Sequence, residues 1–267
     1  MSKVIVFDLD ETLRSVETTF MNDNARVVLR PKITDLLDKI IDIKKAGVDS
    51  VIYTSATSRS VNEHFLDKLP KKYRNILSQI ISRGNFLEPE LNTRENYLYR
   101  AGENKNVTVL DYDEILFFED SQTEYKFLLE LFDKELDIPY PVPEKSVTFV
   151  CMPFYPRMQC DMYALKELAK ESDVLSKPIN DYFTLMVNEP GCKIMTDIID
   201  DFISKDNEKG LKNIDIEEFN NYEAELRAKN IEIRKVLSKE EKLRNRYFDL
   251  KEECYAKDRN KNCKELL

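Results

Sequence analysis

Two aspartates two residues apart, Asp8 and Asp10, end the apolar run Val4-Ile5-Val6-Phe7 near the start of the chain. An ionised carboxylate can attack an electrophile such as phosphorus and form an aspartyl-phosphate. A second carboxylate beside it can protonate the leaving oxygen and then deprotonate water. Another acidic pair, Glu119-Asp120, closes a second apolar run, Ile115-Leu116-Phe117-Phe118. Carboxylates crowded in this way call for a hard cation. Mg²⁺, held by carboxylates and substrate phosphate, suits the set, with Asp8, Asp10, Glu119 and Asp120 as its expected metal residues. Thr54, after Val51-Ile52-Tyr53, adds a hydroxyl from a third strand end; Ser55 beside it is the alternative, and strand phase favours Thr54. A lysine is also wanted, to balance phosphoryl charge and orient the nucleophile. The plain competing reading of Asp8 and Asp10 is a strand that ends in an acidic loop.

The elements that must position these groups can be read from periodicity. Apolar runs at 4–7, 51–53 and 115–118 read as strands buried on both faces, as in a parallel sheet, and 147–151 as a further strand. Between the first two lies a polar stretch, 14–30, long enough for a small hairpin and too short for a cap domain. Pro31 is then expected at the first helical position, Ile33, Leu36, Leu37 and Ile40 share one helix face, and Gly47 is the stop. Helices are expected from Arg59 to Leu69 and over 122–136, with a short element at 107–110 and further helices over 152–205. Strand and helix alternate, which predicts an α/β fold with a doubly wound, Rossmann-like parallel sheet. Ligands bind such sheets in the crevice beyond the strand ends, where Asp8 and Asp10 fall.

Residues 206–212 read as a polar linker. From Ile214 to Ala256 there is no Gly or Pro, and apolar residues keep a 3/4 spacing that Lys229 and Glu240 interrupt. This predicts a long helix or helical hairpin, a candidate coiled coil. It either self-associates, binds a protein partner or packs on its own domain. The expected division is thus 1–205 and 213–267.

Composition narrows the classes. Of 267 residues 42% are hydrophobic and 34% charged, the mark of a globular protein with a heavily charged part. The net charge of −9 disfavours a general nucleic-acid binder. No apolar run approaches a membrane-spanning length, and a first strand at the N-terminus leaves no room for a signal peptide. Five cysteines, Cys151, Cys160, Cys192, Cys254 and Cys263, show no C-x-x-C pair and read as reduced thiols of an intracellular protein, in cytoplasm or nucleus. The five glycines form no phosphate-cradling loop, which argues against ATP or dinucleotide use. His64, the only histidine, reads as a surface or packing residue.

The run Asp8-Leu9-Asp10-Glu11-Thr12-Leu13 resembles the first motif of the haloacid-dehalogenase (HAD) superfamily of aspartate-nucleophile phosphatases. It is most similar to the phosphatases of the RNA polymerase II C-terminal domain and their small, NLI-interacting-factor-like relatives. Arg30-Pro31, the stretch from Tyr53 to Arg59, and Lys105-Asn106-Val107-Thr108-Val109-Leu110 resemble further landmarks of that group. The resemblance covers about residues 1–155 and implies a HAD-type sheet without a large cap, followed by a C-terminal long-helix extension. It places Thr54 at the second motif and makes Lys105 the leading candidate for the lysine, ahead of Lys71, Lys72 and Lys126. It implies Asp8 as nucleophile, Asp10 as acid and base, and a phosphorylated substrate, phosphoserine or phosphothreonine of a protein. Two positions depart from the pattern. Glu119 stands where the group has Asp, so the metal geometry shifts or Asp120 takes the ligand role. Arg14 follows Leu13 where small relatives carry an apolar residue, and it is expected to be solvated. The alternatives are a phosphatase of nucleic-acid ends or nucleotides, and a catalytically inactive HAD-fold interaction protein that works through its tail.

Overall fold

A computed structural model describes residues 2–17, 26–54, 58–83, 112–121, 125, 145–152 and 159–259. In chain order these form strands β1 (Lys3–Asp8), β2 (Arg14–Glu17) and β3 (Arg26–Leu29), helix α1 (Ile33–Lys45), strand β4 (Asp49–Thr54), helices α2 (Ser58–His64) and α3 (Lys71–Ile80), and strands β5 (Ile81–Arg83), β6 (Glu114–Glu119) and β7 (Ser146–Cys151). Helices α4 (Gln159–Glu171), α5 (Asp173–Val187) and α6 (Gly191–Ser204) follow, then strand β8 (Gly210–Ile214) and helices α7 (Glu217–Lys239) and α8 (Glu241–Arg259). The expected helix 122–136 apart from Tyr125, which is helical, the element at 107–110, Ser55, Lys105, Lys126 and Cys263 lie outside the described residues.

The chain divides into two compact units. The first holds a six-stranded sheet in the order β5-β4-β1-β6-β7-β8, every pair parallel. Counting only these strands in chain order, the arrangement is 3-2-1-4-5-6, which reverses direction between β1 and β6. Its apolar strands explain themselves: Val4, Ile5, Phe7, Leu116, Phe118 and Val150 are at most 1% exposed. The α/β class and the helix-flanked parallel sheet read from the sequence are thus present. The 206–212 stretch is not a simple linker, because Gly210–Ile214 pairs with β7 as the sixth strand. A polar, half-exposed edge strand of this kind lacks the apolar run that reveals a central one. Pro31 is also not the first helical residue: α1 begins at Ile33, behind Lys32, whose φ of 58° lies in the left-handed region. Gly47 ends α1 as expected, with φ 88° and its N–H donated to Lys44 O. The second strand, the third and the helix after Tyr53 fall within a few residues of their expected bounds.

The second unit comprises residues 15–31, 156–190 and 217–267. Its compact division therefore does not follow 1–205 and 213–267. The physical reason is the apolar seam of α7 and α8, which packs on α4 and α5 rather than standing apart. Leu168, Leu175, Ile179, Ile233, Leu237 and Leu250 share one buried cluster. The helical tail breaks at Glu240, one of the two seam interruptions in the sequence. Cys160 of α4 and Cys254 of α8 are joined by a disulfide, with Cα atoms 5.6 Å apart. This corrects the reading of five reduced thiols and removes the cysteine argument for an intracellular location. The pair was hidden because 94 residues separate its members. Cys151 and Cys192 are not disulfide-bonded. Arg30, read as part of a motif, is buried here in an ion pair with Glu189 at 3.5 Å and lies over the Phe219 ring. Among the described residues no helix is long and apolar enough to cross a membrane.

Candidate active site

In an open parallel sheet the ligand crevice lies beyond the strand ends where the strand order reverses. Here that point is the β1/β6 boundary. Phe7 pairs with Phe118 in register, and their rings stack at 5.2 Å, so the next residues, Asp8 and Glu119, leave the sheet side by side. Ligand atoms of Asp8, Glu119 and Asp120 all lie within 4.8 Å of one another, and the three residues are half-buried. The two acidic motifs, more than a hundred residues apart in sequence, are thus brought together.

The electrostatics follow from this crowding. Burial raises the pKa of Asp8 well above the ordinary carboxylate value, and the neighbouring charges of Glu119, Asp120 and Asp10 push it further; a hydrogen bond from the Leu9 backbone N–H opposes them. The other end of β6 makes the contrast. There Glu114, 1% exposed, is met by the Lys3 ammonium at 3.1 Å and by the Asn207 backbone N–H. At that end of the sheet an acid is met by a cation, whereas among the described residues the charges that bear on Asp8 are those of other acids. Clustered hard oxygen donors with this charge excess fit a divalent cation such as Mg²⁺, whose oxygen bonds are about 2.1 Å long.

The turn after β1 is tight. Glu11 takes φ 62°, and the N–H groups of Leu13 and Arg14 both donate to Leu9 O. This folds the chain back, so that the Arg14 Nε donates to Asp10 Oδ1 at 2.8 Å. Arg14 is fully buried while Asp10 remains 38% exposed. The expectation of a solvated Arg14 is therefore corrected: the turn buries its guanidinium and aims it at the proposed acid and base. The sequence held one signal for this, opposite charges four residues apart. Thr12 is buried within the same turn.

Thr54, 1% exposed, ends β4 one position past Tyr53, the register partner of Asp8, as the sequence predicts. Of the lysine candidates, Lys72 is engaged by Asp38 at 3.0 Å and Lys71 is exposed on α3. His64 is the last residue of α2 and half-buried. Comparison with known protein families, with curated proteins and with solved structures finds no match to this chain.

Proposed function

We propose that the protein is a Mg²⁺-dependent phosphomonoesterase of the HAD type, acting through an aspartyl-phosphate. The observation that carries this reading is the meeting of Asp8 with Glu119 and Asp120 at the strand-order reversal, with Asp10 two residues on. In this reading Asp8 attacks phosphorus, breaking the bond to the leaving oxygen, which takes its proton from Asp10. Asp10 then removes a proton from the water that attacks the aspartyl-phosphate, releasing phosphate and restoring Asp8. Arg14 holds the Asp10 carboxylate in place through the 2.8 Å hydrogen bond. The Thr54 hydroxyl is the candidate donor to the transferring phosphoryl group, and Lys105 its candidate counter-charge. Asp8, Glu119 and Asp120 would hold Mg²⁺, which when bound offsets the charge of the carboxylates and the phosphoryl oxygens.

The stretch between Asp10 and α1 is too short for a large cap, and its described part holds two four-residue strands. That favours a macromolecular substrate, and the resemblance noted above points to phosphoserine or phosphothreonine in a protein. Hydrolysis of an aryl phosphate with and without Mg²⁺ tests the chemistry. Turnover that requires Mg²⁺, disappears in Asp8→Asn and is blocked by beryllium fluoride trapped at Asp8 is the expected result. Native protein that binds Mg²⁺ yet neither turns over nor traps beryllium fluoride would instead support the interaction-protein reading.

A further inference from the structure

The helical unit encloses a cavity of about 550 Å³ between α4, α5, α7 and α8. Pockets of this size between helices of a bundle are common sites for small molecules. Its floor is apolar: Leu165, Ile233 and Leu237 are each at least nine-tenths buried. Its polar groups fall into two sets. Lys251 is matched by the Asp161 carboxylate at 2.5 Å, which also accepts the Tyr247 hydroxyl at 2.8 Å, so this set is internally satisfied. Arg234 and Arg244 form the other. Among the described residues, the Arg234 Nε donates to the neutral Asn230 side chain at 3.1 Å, and Arg244 reaches Glu241 only at 4.0 Å, one turn away. A single solvated arginine on a helix needs no explanation. Two at the mouth of one cavity with an apolar floor make a local basic site in a chain of net charge −9.

We infer that this cavity binds a small amphipathic anion, with an apolar body on the Leu165–Ile233–Leu237 floor and an anionic head between the Arg234 and Arg244 guanidiniums. Guanidinium forks bind carboxylate, sulfonate or phosphate heads by charge-assisted hydrogen bonds, and the buried floor supplies the apolar contact area. The site lies wholly within the helical unit, so its occupation is measured independently of any turnover at Asp8.

The test is fluorescence titration of the full chain with 8-anilinonaphthalene-1-sulfonate and, separately, with the neutral N-phenyl-1-naphthylamine. The expected results are saturable one-to-one binding of the sulfonate, at least about tenfold weaker binding of the neutral probe, and at least about tenfold weaker sulfonate binding in the R234Q/R244Q variant. Absence of saturable sulfonate binding up to about 1 mM, or equal affinity for the two probes, overturns the proposal. So does unchanged sulfonate affinity in a variant whose circular dichroism is native. If the variant does not fold, comparing the two probes on the unaltered protein still decides.

Discussion

Asp8→Asn should make the metal-free protein more stable while destroying its proposed activity. The substitution keeps the shape of the side chain and its acceptor for the Leu9 N–H, and removes one charge from a cluster whose ligand atoms lie within 4.8 Å of one another. Two unit charges at that separation repel by about 3.5 kcal/mol at an effective dielectric of 20. Partial exposure and salt reduce the recoverable part to about 1–2 kcal/mol. For a chain of this size that is a rise of about 2–8 °C in Tm. The sign with pH follows from the raised pKa of Asp8. The folded state holds the proton more tightly than the unfolded chain, so the penalty is absent below the ordinary carboxylate range of about 4. It grows as pH rises and is complete once pH has passed the raised folded value. Differential scanning calorimetry in EDTA at neutral and acid pH should therefore show Asp8→Asn above the wild type at neutral pH and level with it in acid. Adding Mg²⁺ should reverse the order, because a ligand at a hundred times its Kd stabilises by about 2.7 kcal/mol, and the variant forfeits a ligand oxygen charge. A metal-free Asp8→Asn protein that melts below the wild type at neutral pH would refute the claim that this cluster is held together against its own repulsion.

Three other substitutions separate the roles assigned above. Arg14→Met preserves volume but strips Asp10 of its partner; it should lower turnover about a hundredfold and stability by about 1–3 kcal/mol, while Mg²⁺ affinity by calorimetry stays within a few-fold of wild type. Loss of Mg²⁺ binding in that variant would mean that Arg14 shapes the whole turn rather than Asp10 alone. Cys254→Ser should destabilise by about 2–4 kcal/mol, since the Cys160–Cys254 link spans 94 residues. Peptide mapping without reductant should recover the two cysteines as one cross-linked species, and alkylation of both in the denatured, unreduced protein would contradict the link. Glu189→Gln removes the buried negative charge that faces Arg30 at 3.5 Å and should cost about 3–5 kcal/mol in chemical denaturation. The R30M/E189L pair should recover most of that loss if the charges serve stability alone.

What could be read from the sequence was whatever a single run of residues announces. Apolar runs of three or more gave β1, β4, β6 and β7, and residues flanking them gave Asp8, Thr54 and the Glu119-Asp120 pair. The sheet then brought Asp8 to Glu119 because both follow strands paired in register at Phe7 and Phe118. Features set by long-range contact were not legible. The edge strand β8 is polar and is defined only by its pairing with β7. The Cys160–Cys254 link depends on α4 lying against α8, which no local spacing encodes. Arg14 was misread because a cation after a carboxylate motif looks solvated in one dimension. A left-handed turn at Glu11, a conformation unusual for a residue with a Cβ, is what buries it.

The tail shows how the same physics limits what this chain can offer a partner. A coiled coil through α7 and α8 would use their apolar seam, but Leu226, Ile233, Leu237, Leu250 and Cys254 are already at most 8% exposed within their own unit. Vacating that seam would strip Leu175 and Ile179 of their cover and break the Cys160–Cys254 link. Pairing of two chains through α7 and α8 would therefore use the outer faces, where, among the described residues, Ile231 and Phe248 are the large apolar side chains left more than half exposed. Two isolated side chains fall short of the contiguous apolar core that stable interfaces bury. The concave apolar surface of this unit is the floor of the cavity, and the exposed Phe248 belongs to its lining. Among the described residues, the outer faces of α7 and α8 thus offer less apolar surface to a second copy than the proposed cavity offers to a small ligand.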